Sequence, residues 1–228
     1  MNWIINFFTS SIGMKIVMSL TGLFLISFLP IHLIGNLQLL KSDGGEAFNT
    51  YAYFMTNNPL IKFTSYGLYF FILLHAFQGI LLQVMNKKAK STKYLVKTNT
   101  NKSWASNNMA LLGILIFAFL CIHMGDFWFK MKMNRLPLID TYAGYEGMGL
   151  KDLYTRVSVA FKQLWIVIAY LVGLFALAFH LMHGFQSAFQ TLGINHKKYT
   201  PIIKFLGMAY SILIPLGFAI IPIYMYFK

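Results

Sequence analysis

Residues 163–195 read QLWIVIAYLVGLFALAFHLMHGFQSAFQTLGIN, a stretch with no Asp, Glu, Lys or Arg and with two histidines at its centre. A bilayer core of ~30 Å takes about 20 residues of helix, so this run is long enough to cross one. Lipid offers no partner to a bare backbone N–H or C=O, so the run is expected to be helical. Four more charge-free runs lie outward from it: Ile16–Leu40, Phe63–Met85, Ala105–Gly125 and Phe205–Phe227. With their flanks, the expected transmembrane helices are about 14–40, 59–86, 104–131, 156–192 and 201–227. Asn58 is a natural cap for the second, with Pro59 in its first turn.

Composition agrees with this reading. The chain has 228 residues, 57% hydrophobic and 11% charged, with a mean hydropathy of +0.60. A soluble domain carries about 25% charged residues to face water. The expectation is therefore a single all-α integral membrane domain over residues 1–228, with lipid as its solvent. The net charge of +13 does not point to nucleic acid, since no basic helix or aromatic platform lies outside the apolar spans. Cys121 is alone, so there is no internal disulfide or thiolate metal cluster. The first apolar run is too long for a signal peptide and is expected to stay as a helix.

The loops suggest an orientation. Asn86–Trp104 holds Lys87, Lys88, Lys90, Lys93, Lys97 and Lys102 without an acid, and Lys197, Lys198 and Lys204 share that side. Asp43, Glu46, Asp126, Asp140, Glu146 and Asp152 all fall on the other side. Dense lysine loops stay on the cytoplasmic side, which puts the amino terminus inside. Trp104, Trp128 and Trp165 lie near span ends, where amphipathic rings favour the interface. Pro30, Pro215 and Pro222 lie within spans, which lipid tolerates when neighbours satisfy the freed carbonyl. The long loop Lys130–Lys162 is expected to hold interfacial structure.

Five of six histidines fall inside spans: His32, His75, His123, His180 and His183, while His196 lies in a basic loop. An ionisable residue within a span is costly and marks a functional site by default. Counted from the helix starts, His32, His75, His123 and His180 each lie roughly 25 Å along their helices. Consecutive helices are antiparallel, so His32 and His123 fall toward one face and His75 and His180 toward the other. Two layers of two histidines result, on four helices, and the fifth helix has none. Bis-histidine haem b needs two neutral imidazoles on facing helices of a bundle. Zinc would want a third or fourth ligand at one depth. A channel or histidine-relay transporter would want a continuous polar path or broken inverted repeats.

Glycines sharpen the pattern, because residues at i and i+4 share a helical face. Gly79 follows His75 by four and Gly184 follows His180 by four, leaving room for a porphyrin edge against the backbone. Ordinary helix packing is the competing explanation. The outer pair is less regular: His32 has Gly35 at i+3 and His123 has Phe127 at i+4. His180 and His183 compete for one ligand position. The glycine favours His180, which leaves His183 nearer the inside surface, by the propionates.

The segments H32-L-I-G-N, H75-A-F-Q-G, H123-M-G-D-F-W and H180-L-M-H-G-F-Q-S-A-F-Q-T-L-G resemble the di-haem cytochrome b subunit of succinate dehydrogenases and fumarate reductases, the five-helix b558 type. The likeness runs over the whole chain in length, helix count and histidine order. It implies a proximal haem on His75 and His180 near the inside surface and a distal haem on His32 and His123. It implies partners too: a flavoprotein subunit with the succinate site and an iron–sulfur subunit that docks on the inside lysines. Quinone, usually menaquinone in this type, would react near the distal haem, and a higher oligomer of the complex is compatible with it. The chain itself has no dinucleotide fingerprint or large extramembrane domain for a dicarboxylate site. Other bis-histidine cytochromes b, such as hydrogenase or formate dehydrogenase subunits, share the ligand pattern. One departure stands out: some family members carry a glutamate two residues before the fourth ligand, tied to proton movement, and here that residue is Ala178. Asp126, one turn past His123, is the candidate for handling quinone protons; the competing reading is an interfacial acid facing water.

Overall fold

The computed structural model describes residues 2–89 and 103–228 and is 81% helical, so the all-α class holds. Lys90, Lys93, Lys97 and Lys102 of the lysine-rich segment lie outside the described residues. A short helix α1 (Trp3–Thr9) precedes α2 (Ser11–Asn36), which Ser10 caps by accepting the Gly13 N–H at 3.0 Å. A 3₁₀ turn, Leu37–Leu40, ends α2 and leads to α3 (Glu46–Asn57). Next comes α4 (Pro59–Ala89). As expected, Asn58 caps it: its Oδ1 accepts the N–H of Leu60 at 3.0 Å and of Ile61 at 3.3 Å.

Helix α5 (Trp104–Asn107) is separated only by Asn108 from α6 (Met109–His123), which continues through a π-helical turn, Met124–Phe129, into α7 (Lys130–Lys132). Two short antiparallel strands, β1 (Leu138–Ile139) and β2 (Leu150–Lys151), follow. The chain closes with α8 (Leu153–Phe161), α9 (Leu164–Thr191) and α10 (Thr200–Phe227).

Among the described residues, five helices are long and apolar enough to span a bilayer: Ser11–Leu40, Pro59–Lys88, Met109–Lys132, Leu164–Thr191 and Thr200–Phe227. One boundary departs from the sequence reading. The single helix expected over 156–192 is two, α8 and α9, parted at Lys162–Gln163, where Gln163 is extended. The reason lies in α8's own residues. It carries Arg156 and buries Val157, Ala160 and Phe161, which makes it an amphipathic helix for the membrane edge. The loop Lys130–Lys162 thus does hold structure, both β-strands and α8.

Helices α2, α4, α6 and α9 close a ring, since α2 packs on α4, α4 on α6, α6 on α9 and α9 on α2. Helix α10 lies outside the ring against α9 and α2. Phe63, Phe70, Phe77, Ile80 and Val84 stay exposed along one side of α4, and Leu213, Leu216 and Ile220 along α10. Such continuous apolar stripes belong against lipid, not water. Pro30 sits within α2 and cannot donate to the Ile26 carbonyl. The Tyr210 hydroxyl of α10 donates to that carbonyl instead, at 2.5 Å.

The two ends of the bundle differ. One bears Lys87, Lys88, Lys197 and Lys198 and is called the lysine face below. The other is capped by α3, the strands and α8 over the best-packed core, which includes Leu39, Phe48, Val157, Phe161, Ile166, Tyr170 and Met225. Asn49 pins this cap. It is 2% exposed, and its Oδ1 accepts the N–H groups of Leu153 and Tyr154 at 3.1 and 2.9 Å. Asp43 shapes the turn into α3. Slight desolvation raises its carboxyl, but the N–H groups of Ala47 and Gly45, each 3.0 Å away, outweigh that and hold it below the usual range.

Candidate functional site

Four helices of the ring bring four histidines together as two pairs. His75 of α4 faces His180 of α9 with ring centroids 6.2 Å apart and planes 66° apart. His32 of α2 faces His123 at the end of α6 with centroids 5.7 Å apart and planes at 90°. A metal–imidazole bond is about 2 Å long, so two rings sharing one ion from opposite sides have centroids roughly 6 Å apart. Both pairs stand at that separation.

The pairs lie at different depths. Thr21 touches the first pair and His32 belongs to the second, and both are on α2, eleven residues apart. At ~1.5 Å per residue the layers are about 16 Å apart. Helix α9 repeats the measure, since Tyr170 touches His123 ten residues before His180. The His75–His180 layer is nearer the lysine face, and the His32–His123 layer is nearer the cap.

Hydrogen bonds settle how some of the rings are held. Thr21 Oγ1 lies 3.1 Å from His75 Nδ1 and already donates to the Val17 carbonyl at 2.8 Å. While it keeps that bond its remaining role is to accept, which suits a His75 tautomer with the proton on Nδ1 and the lone pair on Nε2. Tyr170 Oη lies 3.3 Å from His123 Nδ1. Asn36 Nδ2 lies 3.3 Å from His32 Nδ1 and also donates to the His32 carbonyl at 2.7 Å. His180 Nδ1 is buried with no hydrogen-bond partner. Such an atom is costly to leave bare, and of the four rings His180 is the one whose Nδ1 no recorded residue pairs.

The walls differ between layers. A Cβ added to Gly22 of α2 would lie 3.3 Å from His75 Cε1, so this glycine lets the ring lie against the backbone. A Cβ on Gly184 would meet nothing within 4 Å, and one on Gly79 only the Met18 methyl at 3.7 Å. Open backbone beside His180 and His75 fits a flat macrocycle edge. Around the cap-side pair the space is lined with rings: Phe28 stacks on His32 at 5.0 Å, and Phe119, Phe127 and Tyr170 surround His123. Gly35, expected beside that pair's macrocycle, instead faces the Tyr51 ring of α3, which fills the place a side chain would take.

His183 stands one turn past His180 toward the lysine face, half-buried, and it is His180 that meets His75. His196 is exposed in the loop before α10. Asp126 sits in the π-helical turn after His123. It does not face open water: its side chain is 15% exposed and bonds Lys130 Nζ at 2.5 Å and the Arg156 guanidinium of α8. Its Oδ2 and Arg156 Nε are buried without partners.

Sequence reading missed Thr21, Gly22, Tyr170 and Arg156. A signal did exist for two of them: Thr21 and Tyr170 are hydroxyls on histidine-bearing helices, each at the depth of the layer its own helix does not ligate. Among the described residues, no group of three or more His, Cys, Asp or Glu is placed to hold a metal, so each layer offers two imidazoles. Cavities of about 200 and 210 Å³ open at the cap, lined by residues such as Arg135 and Arg156, and Asn49 and Lys62. Both are smaller than the ~300 Å³ at which small-molecule pockets begin, and neither is lined by a paired histidine. No family model, curated protein or solved structure matches the chain. Fold and site together describe a multi-pass membrane helical bundle with two stacked histidine pairs.

Proposed function

We propose that this chain is the membrane-anchor cytochrome b subunit of a succinate:menaquinone oxidoreductase, a succinate dehydrogenase or fumarate reductase. One haem b would lie between His75 and His180 and a second between His32 and His123. The observation that carries the reading is the repetition: two histidine pairs, each at one-ion separation, about 16 Å apart along one bundle. A b haem supplies a one-electron carrier, and two at this spacing make a relay across a bilayer. The chain supplies the rest. Facing helices hold neutral imidazoles, hydroxyls orient two of them, and the phenylalanines around His123 exclude water.

The partners rest on the resemblance of the four histidine segments. On this reading the lysine face is cytoplasmic, the amino terminus is inside, and the cytoplasmic membrane is the location. The iron–sulfur subunit docks near Lys87, Lys88, Lys197 and Lys198 and receives electrons from the flavoprotein subunit. Menaquinone reacts at the cap end, where Asp126 follows His123 by one turn. A reduced-minus-oxidised visible spectrum of the purified chain, with haem quantified per polypeptide, tests the reading. Two low-spin b haems per chain are expected; a folded chain without haem ends it.

A further inference from the structure

We propose that Tyr170 is the positioning residue of the cap-side pair, accepting the His123 Nδ1 proton and so setting the potential of the centre that His123 ligates. The inference rests on the haem reading above. Four observations carry it. Tyr170 Oη is 3.3 Å from His123 Nδ1. Tyr170 is 6% exposed, so no bulk water competes for the bond. Its ring is clamped by Phe119 and Phe161, each with centroids 5.0 Å away, so the hydroxyl is held in place. The other layer has the same device in different chemistry, with Thr21 Oγ1 at His75 Nδ1.

The direction of the bond follows from ligation. An imidazole that binds metal through Nε2 must carry its proton on Nδ1 and donates it outward. The recorded partner of His123 Nδ1 is the phenol oxygen, which therefore accepts. The phenol's own proton needs an acceptor in turn. Asp126, one turn past His123, has a buried carboxylate oxygen, Oδ2, that is without a partner. An acceptor on Nδ1–H raises the basicity of Nε2 and favours the oxidised metal. Losing the acceptor raises the potential.

The test is a redox titration of the haem-loaded chain, followed optically and by electron paramagnetic resonance. Tyr170→Phe is expected to shift the centre that His123→Ala abolishes upward by about tenfold in its reduced-to-oxidised ratio, about 59 mV for one electron. The other centre should not move. Thr21→Val should do the reverse, shifting only the centre that His75→Ala abolishes. Both haems bound with unchanged potentials in Tyr170→Phe overturns the inference and leaves the haem reading standing. A wild-type chain without haem overturns both. If Tyr170→Phe fails to load the second haem, 3,5-difluorotyrosine at position 170 keeps the shape and weakens the acceptor. A smaller upward shift is then expected, and no shift overturns the proposal.

Discussion

The Tyr210 hydroxyl donates to the Ile26 carbonyl, the one group in α2 that Pro30 leaves without its helical partner. The bond ties the peripheral α10 to the histidine bundle at the point where α2 is weakest. Tyr210→Phe leaves that carbonyl bare and is expected to cost about 1–2 kcal/mol, seen as a lower unfolding midpoint in detergent. Pro30→Ala returns an N–H to the helix. In that background the same Tyr210→Phe change should cost much less, and a double-mutant cycle measures the difference. Equal costs in both backgrounds would mean that the bond does not serve the proline.

Separate layers predict separate losses. His75→Ala and His123→Ala should each remove one haem and spare the other, halving the pyridine haemochrome yield per chain. The two residual spectra should differ, because the environments do: open glycine walls at one pair and packed rings at the other. Complete loss from either variant contradicts independent layers.

Gly22 offers a steric test. A Cβ there lies 3.3 Å from the His75 ring, tight enough that the ring must give by a few tenths of an ångström. Gly22→Ala should be tolerated with a perturbed spectrum. Gly22→Val should displace His75 and lower bound haem toward half, leaving the cap-side centre intact.

Asp126 holds two cations, and only 15% of its side chain is exposed. Asp126→Asn leaves the Arg156 charge poorly compensated and is expected to cost about 2–3 kcal/mol by thermal unfolding. Adding Arg156→Gln should recover part of that loss. Quinone turnover in the same two variants separates structure from proton handling. A turnover defect that persists when stability recovers assigns the proton role to the carboxylate.

What was legible in the sequence was whatever is local or periodic. Charge-free runs mark spans because lipid rejects charge, and the position of each histidine along its run sets its depth. Contacts between distant segments were not legible. The Thr21–His75 bond joins residues 54 apart and the Tyr170–His123 bond residues 47 apart. Gly35 shows the same limit: spacing marked it as special, but only the packing of α3 reveals that Tyr51 takes the space. The break at Gln163 escaped because α8 is apolar enough on one side to read as the start of the next span.

The spacing between layers also restricts how this chain can vary. Eleven residues turn a helix by about three full turns and 20°, so Thr21 and His32 point the same way from α2. One residue inserted between them would swing one layer by about 100° relative to the other while leaving the helix as apolar as before. Apart from Gly22, which the His75 ring abuts, and Phe28, which stacks on His32, the letters between positions 21 and 32 can drift among apolar choices, but their number cannot change.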